Sequence, residues 1–353
     1  LIDLSRRSSK MPITFRKEVQ RVRLLDPTDG FREKELLLET RWDPLTEETS
    51  RLFEVKWKDE GVDLREMFKV GIEGFCPFCP ENLERVTPKF PEDFVEGGRL
   101  KVGRTVVFPN RLPFDKAAGV VVLGQRHFVP LEELEPELIC EGLQAAQRFF
   151  LRVAEADPSI GFFSVNWNFL PTAGGSIVHP HLHAVAGEHP TNQLRKLLQR
   201  SSAYRRSHGR SFWADLLDEE RARGERYLAE TRGLHWLCSF APMGYGDVTV
   251  IFPEVESILE VTKEELEAFS RGLGALFRFY ADSGLYSFNL ALYGGARDTE
   301  GFWVHARTAI RRVLPPAGTS DINCLQMLHT EPVVYAFPEE LSRSMKPYFE
   351  ALR

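Results

Sequence analysis

The chain has 353 residues, with 45 lysines and arginines against 51 aspartates and glutamates, so its formal net charge is −6. This length is enough for one large domain or two of ordinary size, and either would bury a sizeable core. The acidic balance argues against a general affinity for a nucleic-acid polymer, whereas a local basic pocket for a small phosphate remains compatible with it.

The chain contains no run of about 18 apolar residues, and residues 1–15 lack the apolar stretch of a secretory signal. The sequence therefore predicts a soluble, cytoplasmic protein without a membrane partner. The five cysteines are an odd number, and two of them stand in Cys76-Pro77-Phe78-Cys79. In a large chain without a secretory signal, such a pair favours metal or redox chemistry over a structural disulfide.

The first part of the chain predicts one long helix among several strands. A charged segment comes first, Asp43-Pro44 marks a turn, and β-branched or alternating runs indicate the strands. The predicted elements, in order, are a charged lead-in over 1–38, strands at 52–57, 105–110 and 119–123, a helix over about 131–155, and a strand at 162–168. This order predicts an α+β fold in which a helix packs on an antiparallel sheet.

Three histidines alternate in the next strand, at His179, His181 and His183. Because side chains on a strand repeat every two residues, the three imidazoles face one side. The upstream Gly174-Gly175-Ser176 lets the backbone approach an anion closely. A solvated face would explain a lone histidine, but chance poorly explains three on one face among nine in the chain. Since imidazole acts as nucleophile, proton shuttle and metal ligand near neutral pH, the strand predicts a reactive face.

The second half repeats the element order of the first. A polar and basic helical region over 191–231 is interpreted as a linker, and after it come strands, an acidic helix, a Gly-rich turn and a last strand. The offset between the aligned histidines is 305 − 179 = 126 residues. The repeat aligns His179 with His305, His181 with Arg307, and His183 with Ala309. Only the first half therefore retains the histidine cluster.

The CxxC pair presents two thiolates to one ion, and a tetrahedral zinc site then needs two more ligands. His127, just past a buried strand, and His179 are the natural donors. Four protein ligands would close the shell and make the metal structural. A redox-active CxxC and two unrelated buried thiols are the alternatives, and the absence of a thioredoxin-like βαβ pattern weakens the first.

If His179 is tied to the metal, His181 is the next imidazole on the same face and can attack a phosphoryl group. Gly174, Gly175 and Ser176 would supply backbone and hydroxyl donors to the phosphate oxygens. His183 and Asn168 would orient the imidazole or bind the phosphate. A covalent phospho-histidine splits one displacement between two anions into two steps.

These motifs resemble the galactose-1-phosphate uridylyltransferase branch of the histidine triad superfamily, over about residues 41–350. The resemblance implies two fused half-domains, here 1–190 and 191–353, with a zinc site in the first, and transfer of a nucleotide through a nucleotidyl-histidine. Relatives commonly form dimers, so a homodimer is also implied. The resemblance assigns zinc to Cys76, Cys79, His127 and His179, nucleophilic attack to His181, the phosphates to Asn168 and Ser176, and the nucleotide to Arg41 and Asn110.

Two positions depart from the family pattern. His183 stands where the uridylyltransferases usually have glutamine, which gives the His-x-His-x-His pattern of the nucleotide hydrolases in the same superfamily. Arg307 stands where a ligand of a second metal would be needed, so one metal is predicted. Three functions are left: a nucleotidyltransferase or nucleoside-diphosphate-sugar phosphorylase, which is the leading hypothesis; a dinucleotide or nucleotide-phosphoramidate hydrolase; and a zinc-stabilised nucleotide-binding protein without turnover.

Overall fold

The computed structural model describes residues 13–55, 62–296, 299–314 and 319–352. The strands in these ranges are β1 Lys17–Asp26, β2 Arg32–Trp42, β3 Thr49–Leu52, β4 Leu100–Val102, β5 Thr105–Pro109, β6 Ala117–Leu123, β7 Phe162–Phe169, β8 His181–Gly187, β9 Tyr227–Thr231, β10 Leu234–Cys238, β11 Val248–Ile251, β12 Phe288–Ala296, β13 His305–Ile310, β14 Val313–Leu314, β15 Thr319–Ser320 and β16 Val333–Val334. The helices are α1 Leu64–Met67, α2 Lys69–Glu73, α3 Pro80–Val86, α4 Pro136–Ala156, α5 Asn192–His208, α6 Phe212–Arg223, α7 Lys263–Asp282, α8 Cys324–His329 and α9 Pro338–Glu350.

A ten-stranded sheet forms the centre of the fold, in the order β4-β5-β6-β8-β7-β12-β13-β11-β10-β9. All of its neighbouring strands are antiparallel, and the two half-domains meet where β7 pairs with β12. Across β7 and β8, Asn166 lies opposite His183, and across β12 and β13, Asn289 lies opposite Ala309. His183 and Ala309 thus occupy equivalent places in the two halves, and they are 309 − 183 = 126 residues apart, as the repeat predicted. The α+β class and the two fused halves are therefore confirmed. The division at residue 190 stays a prediction.

Helices α4 and α7 cover one face of this sheet. Their buried residues recur every three or four positions, as expected for helices that turn one apolar side toward a sheet. Two glycines permit close packing, because a Cβ at Gly272 would lie 2.0 Å from the ring of Trp236 and one at Gly142 would lie 2.3 Å from Leu123. The largest apolar core therefore lies between these helices and the sheet.

The face away from these helices carries the polar side chains. Along β7, buried core residues alternate with half-buried Ser164, Asn166 and Asn168. On the neighbouring β8, Leu182 points toward α4, whereas His181 and His183 lie on the polar side. The two-residue period of the strands thus separates core from site.

Two parts of the chain differ from a plain lead-in and linker. The order of the charged lead-in was left open by the sequence, and residues 17–38 of it fall within the paired hairpin β1 and β2, while residues 1–12 lie outside the described residues. The predicted linker over 191–231 instead forms α5, α6 and β9. Its apolar residues recur at helical spacing and build a second core with Phe302 and Ile251. Overall polarity concealed this spacing, because the exposed faces of both helices are strongly charged.

The strand expected over 52–57 ends earlier, since β3 spans Thr49–Leu52, and residues 56–57 lie outside the described residues. The other strands and helices expected in the first half lie within a few residues of their predicted positions. Among the described helices, none is both long enough and apolar enough to cross a membrane.

Candidate active site and metal centre

Four predicted ligands converge at one end of the histidine strand. Cys79 caps the N-terminus of α3, Cys76 lies three residues before it, His127 follows β6, and His179 directly precedes β8. Sγ of Cys79 lies 3.4 Å from Nδ1 of His127 and 3.8 Å from Nδ1 of His179. Sγ of Cys76 also lies 3.8 Å from Nδ1 of His179. One ligand atom from each residue lies within 4.8 Å of all the others, so the group could hold a metal ion.

The far nitrogen of each of these two histidines faces a backbone carbonyl. Nε2 of His127 lies 3.0 Å from the Gly71 oxygen, and Nε2 of His179 lies 3.2 Å from the Gly124 oxygen. A carbonyl oxygen only accepts, so each Nε2 carries the proton and each Nδ1 keeps its lone pair toward the cysteines. Both imidazoles are therefore held in the form that ligates a metal through Nδ1.

The burial of this group suits a bound cation. Cys76 and His179 are buried, and desolvation, with a contribution from the neighbouring Cys76, raises the pKa of Cys79 to about 12. Burial also lowers the pKa of His179 to about 4, which keeps its imidazole neutral. Two thiolates in such surroundings would require positive charge close by, which a divalent cation would supply.

His181 lies next to this group and is held by it. Its Nδ1 donates to the backbone oxygen of His179 at 2.7 Å, so Nε2 carries the lone pair. Burial lowers the pKa of His181 to about 4, and only 5% of the residue is exposed. The ring of Phe78 packs edge-on against it, with 5.1 Å between centroids. His181 is thus a neutral imidazole with a fixed orientation, as a nucleophile requires.

His183 adjoins His181 along the strand, with ring centroids 5.1 Å apart. The ring of Phe114 lies 5.4 Å from it on another side. Burial lowers its pKa, and its Nδ1 is buried without a hydrogen-bond partner among the described residues. The structure thus brings His179, His181 and His183 together, as the alternation predicted.

The backbone N–H groups of the glycine turn before this strand are not free, in contrast to the prediction. The N–H of Gly174 donates to the oxygen of Pro171, and that of Gly175 donates to the oxygen of Leu170, so both donors are used within the turn. Gly174 has a φ of +88°, and a Cβ at Gly175 would lie 2.5 Å from the backbone oxygen of Asn168. The expectation that both glycines donate to a phosphate was therefore wrong. They give the turn its shape, whereas Ser176 is exposed.

A cavity of about 330 Å³ adjoins Asn166 and Asn168 and extends over the second half-domain. Its wall there combines amide, aromatic and paired ionic side chains: Asn289, Tyr293, Tyr245, Arg307 with Asp247, and Arg311 with Asp321. The register connects it to the histidines, because His183 lies opposite Asn166, Asn166 opposite Ala291, and Ala291 opposite Arg307. Three strand spacings of about 4.8 Å each place Arg307 roughly 14 Å from His183.

The two residues assigned to the nucleotide lie elsewhere in the structure. Arg41 is 1% exposed, and its guanidinium bonds the carboxylates of Glu39 and Glu339 and the backbone oxygen of Phe240. The described contacts of Arg41 thus include none of the histidines. Asn110 follows β5, and its Oδ1 accepts from the N–H of Leu112 at 3.1 Å. The described hydrogen bonds do not connect either side chain to His181.

Sequence reasoning missed Phe78 and Phe114, whose rings enclose the two catalytic candidates. Phe78 lies inside the CxxC motif, so its closeness to the candidate ligand His179, and through it to His181, could have been inferred. Phe114 lies in the loop between β5 and β6 and carries no comparable signal.

In the second half-domain the equivalent positions are packed or paired. The ring of His305 lies 4.1 Å from that of Trp213 within the core. Arg307, equivalent to His181, forms an ion pair with Asp247. A charged guanidinium held by a carboxylate has no lone pair for nucleophilic attack, so the chemistry of the first half is not repeated at this position.

Three solved structures share this architecture over most of the chain. An ADP-glucose phosphorylase from Arabidopsis thaliana with bound ADP-glucose has a TM-score of 0.67 at 14% identity, and the match covers 88% of this chain and 98% of that one. A GalT-like protein from the same plant has a TM-score of 0.67 at 15% identity, covering 87% and 98%. A uridylyltransferase has a TM-score of 0.65 at 20% identity, covering 88% and 98%.

The chain has the uridylyltransferase fold. The fold that the resemblance implied is therefore confirmed. A comparison of sequences finds an uncharacterized protein of Archaeoglobus fulgidus. It is 29% identical to this chain over 338 residues, which make up 96% of this chain and 99% of that one. No protein-family model matches. At these identities the solved structures establish the fold alone.

Proposed function

We propose that the protein is a nucleotidyltransferase, in the form of a transferase or phosphorylase that acts on nucleoside-diphosphate sugars through a nucleotidyl-His181 intermediate. One observation carries the proposal: the 2.7 Å hydrogen bond from Nδ1 of His181 to the His179 oxygen leaves the Nε2 lone pair available. A fixed and neutral imidazole beside polar side chains suits attack on phosphorus. Solved structures with this fold include uridylyltransferases and an ADP-glucose phosphorylase, and this agreement supports the proposal.

The proposed reaction has two displacements at one phosphorus atom. Nε2 of His181 attacks the α-phosphorus of the nucleoside-diphosphate sugar, the bond to the bridging oxygen breaks, and the sugar phosphate leaves. An oxygen of an acceptor, either a sugar phosphate or inorganic phosphate, then attacks the same phosphorus. The P–N bond breaks, and the imidazole returns to its neutral form. Asn168 and the hydroxyl of Ser176 would donate hydrogen bonds to the phosphate oxygens during both steps.

The cavity beside Asn166 and Asn168 would receive the sugar part of the substrate. Its amides and its Arg307–Asp247 and Arg311–Asp321 pairs offer donors and acceptors to hydroxyl groups, and its tyrosine rings offer flat apolar faces. Because both arginines are paired with carboxylates, this wall favours a hydroxylated ligand over a strongly anionic one.

Zinc is the proposed ion for the Cys76, Cys79, His127 and His179 group. In a tetrahedral site with Zn–S of about 2.3 Å and Zn–N of about 2.05 Å, sulfur and nitrogen lie about 3.6 Å apart. The observed separations of 3.4 to 3.8 Å fit this value. Four protein ligands leave no position for substrate, so zinc would stabilise the loop and the start of β8, which carry His179 and orient His181.

Labelled nucleoside-diphosphate sugars test the proposal. A panel that varies base and sugar is incubated with the protein, and an acid-labile label on His181 is expected with at least one member. Release of the label by phosphate or by a sugar phosphate would identify the acceptor. If no member labels the protein while nucleotides still bind, the proposal is rejected in favour of a zinc-stabilised nucleotide-binding protein.

A hydrolase is the second candidate, favoured by His183. Its imidazole lies 5.1 Å from that of His181 and has a buried, unpartnered Nδ1 among the described residues. Its other nitrogen, Nε2, makes no hydrogen bond among the described residues and could accept a proton from water, activating the water to attack the intermediate, which a glutamine cannot do. Release of the label without any acceptor would support a dinucleotide or nucleotide-phosphoramidate hydrolase.

The proposal also retains the remaining predictions from the sequence. These are half-domains at 1–190 and 191–353, a single metal, a place near the nucleotide for Asn110, a cytoplasmic location and a homodimer. Arg41 is left out of the proposal, because its guanidinium is buried and bonded to Glu39 and Glu339. A homodimer would bring further side chains to the substrate, and sedimentation analysis at several concentrations measures it. A monomer at all concentrations would remove that part of the proposal.

A further inference from the structure

A hydrogen-bonded chain from the second half-domain ends on Asn168, the residue proposed at the phosphates. Asn289 on β12 lies opposite Asn168 on β7, where the two halves join. Nδ2 of Asn289 donates to Oδ1 of Asn168 at 2.7 Å and to the backbone oxygen of Ala173 at 2.8 Å. Nη1 of Arg311 donates to Oδ1 of Asn289 at 3.1 Å, and Arg311 is itself held by Asp321. One amide thus links the glycine turn, Asn168 and a half-buried ion pair.

The chemistry of the two ends determines how this amide is oriented. A guanidinium has only donors, so the atom of Asn289 facing Arg311 must be the oxygen. The Ala173 carbonyl can only accept, so the atom facing it must be the amide nitrogen. Both hydrogens of that nitrogen are then used, one by Ala173 and one by Asn168.

The orientation of the Asn289 amide determines the orientation of the Asn168 amide. Because it accepts from Asn289, the atom in contact is its Oδ1, and its own NH₂ group must point away from β12. No hydrogen bond among the described residues uses that NH₂ group. Asn168 lines the cavity together with Asn166, which lies opposite His183 in the sheet. Asn168 therefore presents a donor toward the site. A rotated amide would present an oxygen, which repels the oxygens of a phosphate.

We propose that Asn289 is a positioning residue that fixes the amide of Asn168 with its donor side toward the substrate phosphate, using Arg311 and Asp321 as an anchor. The inference rests on the proposed function, because it assumes that Asn168 binds a phosphate oxygen. It gives the second half-domain a part in the reaction although that half has lost the histidine cluster. Asn289 is the repeat equivalent of Asn166, yet its hydrogen bonds reach across the joint into the first half.

Asn289→Asp tests this with almost no change in shape. A carboxylate accepts from Arg311 as before but can no longer donate, so Asn168 is expected to rotate and turn its NH₂ group toward residue 289. The rate constant for labelling His181, divided by the donor concentration, should fall at least tenfold. Asn192→Asp is the matched control, because it makes the same change in charge on the exposed start of α5.

A double-variant comparison separates positioning from general damage. Asn168→Ala removes the group that Asn289 is proposed to orient. If Asn289 acts through Asn168, adding Asn289→Asp to Asn168→Ala should change labelling by less than twofold. Rate losses that multiply in the double variant, or a wild-type rate in Asn289→Asp alone, would overturn the inference.

A spectroscopic measurement tests the orientation without any turnover. In protein labelled with ¹⁵N at asparagine, the side-chain NH₂ signals of Asn168 are assigned by their loss in Asn168→Ala. These signals should shift in Asn289→Asp and stay in place in Asn192→Asp, whether or not the protein labels on His181. If labelling fails with every donor while the shift is seen, the proposed function is wrong and the positioning contact stands. Unshifted Asn168 signals in Asn289→Asp would refute the contact itself.

Discussion

Nδ1 of His181 donates a hydrogen bond of 2.7 Å to the backbone oxygen of His179, whose own Nδ1 points at the two cysteines. The two imidazoles, separated by one proline, therefore use different nitrogens for these hydrogen bonds and leave different nitrogens free. Nδ1 is the nitrogen through which His179 would ligate a metal, whereas Nε2 is the nitrogen through which His181 would attack the substrate of the proposed reaction. The candidate metal ligand His179 is thereby connected to the proposed nucleophile, because its backbone carbonyl selects the tautomer of His181.

Metal content gives the first prediction. Purified protein should carry about one zinc per chain, and Cys76→Ser should lose it and unfold at lower temperature, because metal binding contributes to folding. Cys324→Ser is the control, since Cys324 is an exposed free thiol outside the group. Elemental analysis and thermal unfolding measure both effects. Full zinc content in Cys76→Ser would show that the ligand set is wrong.

Loss of the nucleophile gives the second prediction. His181→Asn should abolish covalent labelling, by at least a thousandfold, while it retains zinc and the thermal unfolding temperature to within a few degrees. His189→Asn, at an exposed histidine just beyond β8, should label like the wild type. His305→Asn should also keep the chemistry, although loss of its contact with Trp213 should lower stability. Undiminished labelling of His181→Asn would move the nucleophile elsewhere.

The third prediction concerns His183, which distinguishes transfer from hydrolysis. The native protein should hydrolyse its nucleotidyl intermediate measurably without an acceptor, because Nε2 of His183, which makes no hydrogen bond among the described residues, can accept a proton from water. His183→Gln should slow this decay, by about tenfold or more, and affect formation less. Single-turnover formation and decay of labelled His181 are measured in both proteins. Equal decay rates would show that His183 only occupies the place of a phosphate-binding glutamine.

Acid stability gives the fourth prediction, through Glu339. Burial alone would raise the pKa of this carboxyl, but hydrogen bonds and charge from Arg41 and Arg226 lower it from 4.5 to about 2. A depressed pKa contributes stability above the unfolded value, and this contribution is lost as the pH falls from about 4.5 to about 2. The free energy of unfolding should therefore decrease in this window.

A substitution isolates the part of that decrease due to Glu339. Glu339→Gln should destabilise the protein by about 3 kcal/mol at pH 7, because it leaves two buried guanidinium groups short of a carboxylate. The loss should shrink toward pH 2. Glu340→Gln, at the exposed neighbouring position on α9, is the control. Urea unfolding at several pH values measures both variants, and a loss that does not depend on pH would contradict the assigned charge interaction.

The local patterns of the sequence determined which residues form the candidate site. Cys76 and Cys79 at CxxC spacing, and histidines at alternate positions, specify their own placement because strand geometry and short loops leave little choice. The same holds for the long helices α4 and α7, whose apolar residues follow the helical period. For this reason the metal group, the histidine face and the α+β class could be predicted before any contact was known.

Tertiary structure alone decided what depends on residues distant in the chain. The guanidinium of Arg41 is hydrogen-bonded to the carboxylate of Glu339, which lies 298 positions away in the chain. Asn168 accepts a hydrogen bond from Asn289, on the other side of the boundary between the two halves. The donors of Gly174 and Gly175 are used inside their turn because of its backbone path, which composition does not reveal. The sequence by itself determined the reactive groups, since their chemistry is local. Only the fold decided which nitrogen, amide face or charge is free to act, because each partner is chosen by packing.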